Sequence, residues 1–84
     1  MTAKEFNNAI TMRHLRIIAA LADLKLIARV SEALNVTQPA ISKQITEIER
    51  IVDVPLVTRN RNRLYLTPAG KRLAEHARQV LNQL

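Results

Sequence analysis

Apolar residues in the first part of the chain recur at the spacing of one helical face. The positions related by i, i+3, i+4 and i+7 are Leu15, Ile18, Ala19 and Ala22. Thr11, a residue type that often caps a helix N-terminus, precedes this series. The pattern therefore predicts a first helix that begins after Thr11 and ends near Leu24. Residues 1–10 show no strong periodicity, and we assign them to an N-terminal extension, either a tail or an extra helical turn.

Two further helical segments follow, separated by a short turn. The inward side of the first segment consists of Ile27, Val30, Ser31 and Leu34. This spacing predicts a second helix over residues 27–34. Asn35 then favours the positive φ that a sharp turn requires, and Thr37 is suited to cap a third helix with Pro39 in its first turn. Because two helices joined by so short a turn form a helix-turn-helix, we place that motif at residues 27–46.

The third helix, predicted over residues 38–52, separates an apolar seam from a polar N-terminal face. The seam consists of Ile41, Ile45, Ile48 and Val52. The opposite surface of the first two turns carries Gln38, Ser42, Lys43 and Thr46, and acidic residues follow only at Glu47 and Glu49. A helix N-terminus has a positive dipole and free N–H groups, so this polarity favours contact with phosphates and base edges. In isolation the segment also fits an ordinary surface helix.

A β-hairpin is predicted directly after the helix-turn-helix. Pro55 stops helical propagation, and β-prone runs at residues 56–57 and 64–66 flank a polar tip at residues 60–62. A hairpin in this position is a wing, which we place at residues 55–66. Its arginines are Arg59, Arg61 and Arg63. An extended strand would project all three to one side, although the turn breaks this alignment. They either contact phosphates or a minor groove, which we favour, or only protect an edge strand from aggregation.

The last segment has the start signals of a helix and a second apolar seam. Thr67 and Pro68 predict a helix over residues 68–84, with Leu73, Ala77, Val80 and Leu84 spaced four, three and four. This seam either faces another chain or packs on its own domain, because two heptads are too few to separate these cases. Gly70, the only glycine, lies early in the helix, where a close approach to the hairpin backbone would explain it.

The composition and net charge of the chain indicate which class of partner to expect. The 84 residues suffice for one small domain with an aliphatic core, and the net charge is +6. No acidic residue lies between Asp53 and Glu75, whereas five basic residues do: Arg59, Arg61, Arg63, Lys71 and Arg72. Clustered positive charge favours a phosphate-rich partner because binding releases condensed counterions, although a basic surface can also serve solubility alone.

Other function classes find little support in the sequence. The chain has no cysteine, and His14 and His76 have no acid–base partner at a suggestive spacing. Phosphate loops, metal-ligand clusters and nucleophile motifs are missing, so we expect no enzyme, catalytic residue, cofactor or metal. No apolar run approaches the ~20 residues that span a bilayer, which predicts a soluble protein without membrane contact. Single-stranded RNA is a poor partner because only Phe6 and Tyr65 could stack on bases.

Taken together, these elements resemble the N-terminal DNA-binding domain of LysR-type transcriptional regulators. The resemblance covers residues 12–84 and rests on "RHLRIIAALADL", "EALNVTQPAISKQITEIE" and "VPLVTRNRNRLYLTPAG". It implies a mainly α winged helix-turn-helix domain at residues 11–67 and a long linker helix for dimerisation at residues 68–84. A C-terminal effector-binding domain usually follows, so we expect this chain to be a fragment that lacks it, with any small-molecule effector acting only through that domain.

The resemblance also implies site residues and a partner. Recognition-helix contacts would fall on Thr37, Gln38, Pro39, Ala40, Ser42, Lys43 and Thr46, and wing contacts on Arg59, Arg61 and Arg63. We expect Gln38 and Lys43 to read bases, since glutamine suits adenine edges and lysine suits guanine. The expected dimer interface consists of Leu73, Ala77, Val80, Leu81 and Leu84. A homodimer of this kind would bind an inverted repeat in double-stranded DNA in the bacterial cytoplasm.

The chain departs from the family pattern at a few positions. Lys25, Leu26 and Ile27 stand where the family often has Gly-Ser-Phe, and Asp53 stands where a glycine is common. The missing serine either removes one phosphate contact or is replaced in that role by Lys25. Val30-Ser31 stands where the family usually has Ala-Ala, and Val57 stands where it commonly has phenylalanine. These changes leave the fold intact, and they leave the detailed geometry of the wing open.

Overall fold

A computed structural model describes residues 10–61 and 63–83 of the chain. Within them, the elements in order are α1 (Met12–Leu24), α2 (Ile27–Leu34), α3 (Gln38–Val52), β1 (Val57–Asn60), β2 (Arg63–Leu66) and α4 (Pro68–Asn82). This arrangement confirms the predicted mainly α winged helix-turn-helix fold. Most of the expected N-terminal extension (residues 1–9), Asn62 at the wing tip and Leu84 of the second seam lie outside the described residues.

Three helices begin at the threonines that the sequence suggested. Thr11 Oγ1 accepts a hydrogen bond from the His14 amide at 3.2 Å, and His14 Nδ1 accepts one from the Thr11 amide at 3.0 Å, so a histidine completes a capping box. Thr37 caps α3 through the Ala40 amide at 3.2 Å, and Thr67 caps α4 through the Gly70 amide at 3.1 Å. These hydroxyls satisfy amides that have no partner within the helix.

Three helices end at residues in the left-handed conformation. Asn35 has φ 55° as its residue type predicted, whereas Lys25 has φ 65° and Asp53 has φ 58°. A side chain with a Cβ atom costs roughly 1–2 kcal/mol in this conformation. Glycine, which the family resemblance leads us to expect at Lys25 and Asp53, would adopt this conformation without that cost. Both residues therefore form the helix end at an energetic cost.

The core lies between α1, α2, α3 and α4, and its side chains are aliphatic, as the composition predicted. α1 is central and contacts α2, α3 and α4. The buried apolar residues are Leu15, Ile17, Ile18, Leu21, Val30, Ile41, Ile45, Ile48, Leu56, Leu64, Ala74 and Ala77. Three of the four residues of the α3 seam belong to this set, and Val52 packs against it. Burial of these side chains fixes which face of α3 points outward.

The wing is an antiparallel pair with a two-residue connection. Its register joins Val57 with Leu66, Thr58 with Tyr65, Arg59 with Leu64, and Asn60 with Arg63. β1 extends further than the predicted run at residues 56–57, and Leu56 precedes the strand as a buried residue. The other edge of β2 meets the segment between α1 and α2, where Leu26 bridges Arg63 and the Leu64 amide donates to the Lys25 carbonyl at 3.3 Å.

α4 packs against α1 and the base of the wing. A Cβ atom added to Gly70 would lie 2.1 Å from the carbonyl oxygen of Leu56, which confirms a close backbone approach as the reason for this glycine. Ala74 and Ala77 are buried, and Arg78 forms an ion pair of 2.6 Å with Asp23 of α1. Within the described residues, no helix combines the length and apolar character needed to cross a membrane.

Candidate nucleic-acid interface

The N-terminal end of α3 is buried in the core on one side and exposed on the other. Ile41, Ile45 and Ile48 are at most 1% exposed, so they anchor the helix in the core. The residues of this end that the sequence singled out face outward or lie at the rim: Thr37, Gln38, Pro39, Lys43 and Thr46 are exposed, and Ala40 and Ser42 are half-buried. The polar end of α3 is therefore available to a partner, as the sequence pattern predicted.

Two of the hydroxyls at this end also form hydrogen bonds within the chain. Thr37 Oγ1 accepts from the Ala40 amide, which leaves its own proton free to donate to a phosphate. Thr46 Oγ1 donates to the Ser42 carbonyl at 3.1 Å, so this hydroxyl can serve a partner only as an acceptor. Thr46 is consequently a weaker candidate for a phosphate contact than Thr37, because phosphate oxygens need donors.

A groove connects the wing with α3. This wing groove has a volume of about 510 Å³ and is lined by Leu26, Ile27, Ala28, Gln38, Arg59, Arg61, Arg63 and Leu64. The structure thus brings the three arginines and Gln38 to one place, although they are more than twenty positions apart in sequence. A second, open groove of about 640 Å³ is lined by Ile27, Ser31, Gln38, Pro39 and Ser42. Gln38 stands at the border of both grooves.

The arginines do not share one face of the hairpin. Arg59 pairs with Leu64, whose side chain faces the core, whereas Arg63 pairs with Asn60. Directly paired residues of an antiparallel ladder project to the same face, so Arg59 and Arg63 lie on opposite faces of the wing. Arg61 occupies the turn with φ 58°. The turn breaks the alignment, as expected, and the arginines surround the tip instead of forming a row.

The basic side chains of this surface are not neutralised by acidic neighbours. Within residues 10–61 and 63–83 the one ion pair between charged side chains is Arg78–Asp23, and Nε2 of His14, whose Nδ1 accepts a hydrogen bond, lies 3.6 Å from Glu47 Oε2. Lys43 and the wing arginines therefore keep their charges available to a partner. The same part of the chain holds no group of three His, Cys, Asp or Glu side chains that could bind a metal ion.

Two residues shape this surface in ways that the sequence pattern does not indicate. Ser31 is predicted only to pack, but its hydroxyl donates to the Val36 carbonyl and so closes the turn before α3. Glu49 is predicted only as part of the acidic end of α3, but its Oε2 accepts from the amides of Leu56 at 2.8 Å and Val57 at 3.4 Å. No local pattern signals either role, because both partners are set by the folded backbone.

The residues expected at a dimer interface divide into three groups. Ala77 is fully buried within its own domain, so its side chain offers no surface to a second chain. Leu73, Val80 and Leu81 are half-buried and keep some exposed surface. Leu84 lies outside the described residues. The second seam thus packs partly on its own domain, because small alanines let α4 approach α1 closely.

The sequence matches the family model described as bacterial regulatory helix-turn-helix protein, lysR family, over residues 12–71. The HTH-type transcriptional regulator CfxR of Cupriavidus necator is 37% identical over 79 residues, which are 94% of this chain and 25% of CfxR. The chain thus spans about a quarter of the length of this relative.

Solved structures of DNA-bound domains have the same fold. The CbnR DNA-binding domain in complex with DNA aligns with a TM-score of 0.83 and 31% identity, over 88% of this chain and 85% of that one. The BenM DNA-binding domain on catB site 1 DNA aligns with a TM-score of 0.82 and 26% identity, over 88% and 83% of the two chains. The capped helix-turn-helix, the adjoining wing and these matches agree: the chain belongs to the lysR family of bacterial regulators and is a helix-turn-helix DNA-binding domain of that family.

Proposed function

We propose that this domain binds double-stranded DNA sequence-specifically, with α3 in the major groove and the wing arginines on phosphates or in a minor groove. The observation that carries the proposal is the position of Gln38. It is exposed at the capped end of α3 and borders the groove that holds Arg59, Arg61 and Arg63. One surface therefore offers both a side chain able to read bases and charges able to hold the backbone.

Within the major groove, Gln38 and Lys43 are assigned to base edges. Both are exposed on the outward side of α3, and glutamine pairs with adenine as lysine pairs with guanine. Thr37 donates its free proton to a phosphate near the helix N-terminus, where the dipole also favours negative charge. Pro39, Ala40 and Ser42 border the bases at close range, and Thr46 contributes only as an acceptor.

The wing supplies sequence-independent attraction on the flank of α3. Its three arginines are exposed around the tip and have no ion-pair partner within the described part of the chain. Arginine suits phosphate oxygens through its fork of donors, and it also enters narrow minor grooves. The DNA complexes of the CbnR and BenM domains, which share this fold, support a duplex as the partner.

Two copies of the domain are proposed to bind an inverted repeat through their linker helices. Leu73, Val80 and Leu81 are half-buried and retain apolar surface on α4 that a second copy could cover. A two-fold dimer places two recognition helices in successive major grooves about one turn of DNA apart. In a longer regulator of this family, acting in the bacterial cytoplasm, an effector-binding domain would follow and receive the small molecule.

Selection of bound duplexes from random double-stranded DNA tests this function. The wild-type chain should enrich an inverted repeat, and the spacing of its half-sites would report the dimer. Gln38→Ala should bind the selected site about 5- to 150-fold more weakly and lose discrimination at one position of each half-site. Gln79→Ala, an exposed glutamine on α4, is the matched control and should select the wild-type sequence. No enrichment by the wild-type chain, or equal weakening of Gln38→Ala on every sequence, would contradict the assignment.

A further inference from the structure

The base of the wing, where the chain passes from α3 to β1, is hydrogen-bonded to both α3 and the start of α4. We call this segment the junction; it consists of Pro55, Leu56 and Val57. From the side of α3, Glu49 Oε2 accepts hydrogen bonds from the Leu56 amide at 2.8 Å and from the Val57 amide at 3.4 Å. A carboxylate that accepts backbone N–H groups makes a stronger hydrogen bond than a neutral acceptor. The start of β1 is therefore attached to the recognition helix through one side chain.

The other side of the junction is attached to α4. The Thr67 amide donates to the Leu56 carbonyl at 3.0 Å, and Thr67 Oγ1 donates to the Pro55 carbonyl at 2.7 Å. Gly70 lies against the same Leu56 carbonyl. The backbone N–H of Leu56 is thus used by α3 and its C=O by the start of α4, while its side chain is 1% exposed in the core.

Because the junction lies at the base of the wing, a small change in its angle displaces the wing tip by a larger distance. β1 begins at Val57, and Arg61 lies four residues further on. At about 3.3 Å per strand residue, the tip is roughly 13 Å from the base, so a tilt of about 10° at the junction moves the tip by about 2 Å. A shift of that size exceeds the tolerance of a hydrogen bond to phosphate.

We infer that Glu49 is a positioning residue for DNA binding, which locks the base of the wing to the recognition helix. Gln38 and the wing arginines then reach one duplex as a rigid unit, and Thr67 extends this unit to the linker helix. This inference rests on the proposed function. Glu49 itself does not touch DNA; it acts through the direction in which the wing arginines point.

A double-mutant cycle separates positioning from a merely structural role. The variants are Glu49→Ala, which removes both hydrogen bonds to the junction, Arg61→Ala and the double variant, titrated with the duplex that the wild-type chain selects. In the wild-type background Arg61→Ala should weaken binding about tenfold, as expected for one charge-assisted contact. In the Glu49→Ala background the same substitution should weaken binding less than about twofold, because the wing arginine is already misplaced.

Glu47→Ala provides the matched control, since it also removes one negative charge from α3. Glu47 lies on the same helix, with its Oε2 3.6 Å from His14 Nε2, away from the junction. Its substitution should leave the tenfold effect of Arg61→Ala unchanged. Circular dichroism and thermal unfolding accompany each titration. If Glu49→Ala does not fold at the assay temperature, Glu49→Asp replaces it in the same cycle, because its shorter side chain keeps the charge but cannot reach both amides.

The outcomes distinguish this inference from the function on which it rests. Equal effects of Arg61→Ala in the wild-type and Glu49→Ala backgrounds would overturn the positioning role, even if Glu49→Ala lowers the unfolding temperature. If Arg61→Ala has no effect in the wild-type chain, both the wing contact and the inference fail. If the wild-type chain binds no duplex, the proposed function fails first.

Discussion

The helix-turn-helix and the wing are built by different kinds of interaction. In the helix-turn-helix, Thr37 caps α3 across three residues and Asn35 makes the turn through its own backbone preference. In the wing, the base of β1 depends on Glu49, seven residues away, and on Thr67, twelve residues away. The first region is specified locally, whereas the second has its final geometry only when α3, the hairpin and α4 have come together. Local residue preferences therefore determine the turn and the start of α3, and tertiary packing determines the base of the wing.

The largest expected difference between the two regions is in how they contribute to the salt dependence of DNA binding. Replacing Arg59, Arg61 and Arg63 by alanine should weaken binding to all duplexes alike, since phosphate contacts carry no base information. If each arginine neutralises one phosphate, a plot of the logarithm of the association constant against the logarithm of the salt concentration should become less steep. The magnitude of its negative slope should decrease by about 0.9 for each arginine removed. Titrations at several salt concentrations measure this slope. Arg78→Ala, whose charge is already paired with Asp23 of α1, is the control and should leave the slope unchanged.

Gly70→Ala should produce the largest loss of stability. Its new Cβ atom would overlap the Leu56 carbonyl, so α4 and the junction must separate, at a cost of about 2–3 kcal/mol. Chemical denaturation measures the free energy of unfolding. Ala69→Gly in the same helical turn should cost only about 1 kcal/mol, through helix propensity. Equal losses in the two variants would mean that the close contact at Gly70 is unimportant.

Asn35→Ala tests the local character of the helix-turn-helix. Alanine adopts φ near 55° less readily than asparagine, so unfolding free energy should fall by about 1 kcal/mol. Asn35→Gly should restore or exceed the wild-type value, because glycine has no Cβ atom. Thermal unfolding compares the pair. A loss in both variants would show that the asparagine side chain, and not the backbone angle, stabilises the turn.

Glycine at the two unusual helix ends should stabilise the domain slightly. Lys25→Gly relieves a left-handed lysine and should add about 0.5–1 kcal/mol, net of the greater flexibility of glycine in the unfolded chain. Asp53→Gly should add less, because aspartate tolerates this conformation better than lysine does. Unfolding midpoints of the two variants give the comparison, and a destabilising Lys25→Gly would contradict it.

The smallest effect is expected at the Asp23–Arg78 ion pair, which joins α1 to α4. Both side chains are largely exposed, at 62% and 44%, so solvent screens their attraction. A double-mutant cycle with Asp23→Ala and Arg78→Ala should give a coupling energy below about 0.5 kcal/mol. A coupling well above about 1 kcal/mol, the upper end for exposed pairs, would show that this pair, and not the buried alanines, holds the two helices together.

The same contrast explains which expectations agree with the structure. All three threonine caps, the turn at Asn35 and the α3 seam follow from neighbouring residues, and the structure has each of them. The close contact at Gly70 is also predictable, because a lone glycine in a helix needs a reason. Other features depend on how the backbone folds and not on residue spacing: Ala77 is buried in its own domain, Glu49 binds an amide seven residues away, and the Ser31 hydroxyl bonds the Val36 carbonyl across the turn.

Residue type and spacing were enough to establish the helices, the three threonine caps, the buried side of α3 and the basic tip of the wing. These features depend on interactions within a few residues, where backbone geometry follows from the residues themselves. The fold alone brought Gln38 and three arginines to the lining of one groove, turned Arg59 and Arg63 to opposite faces and bonded Glu49 to the base of the wing. Such placements depend on how separate elements pack, and packing is a property of the whole core that a linear pattern does not contain.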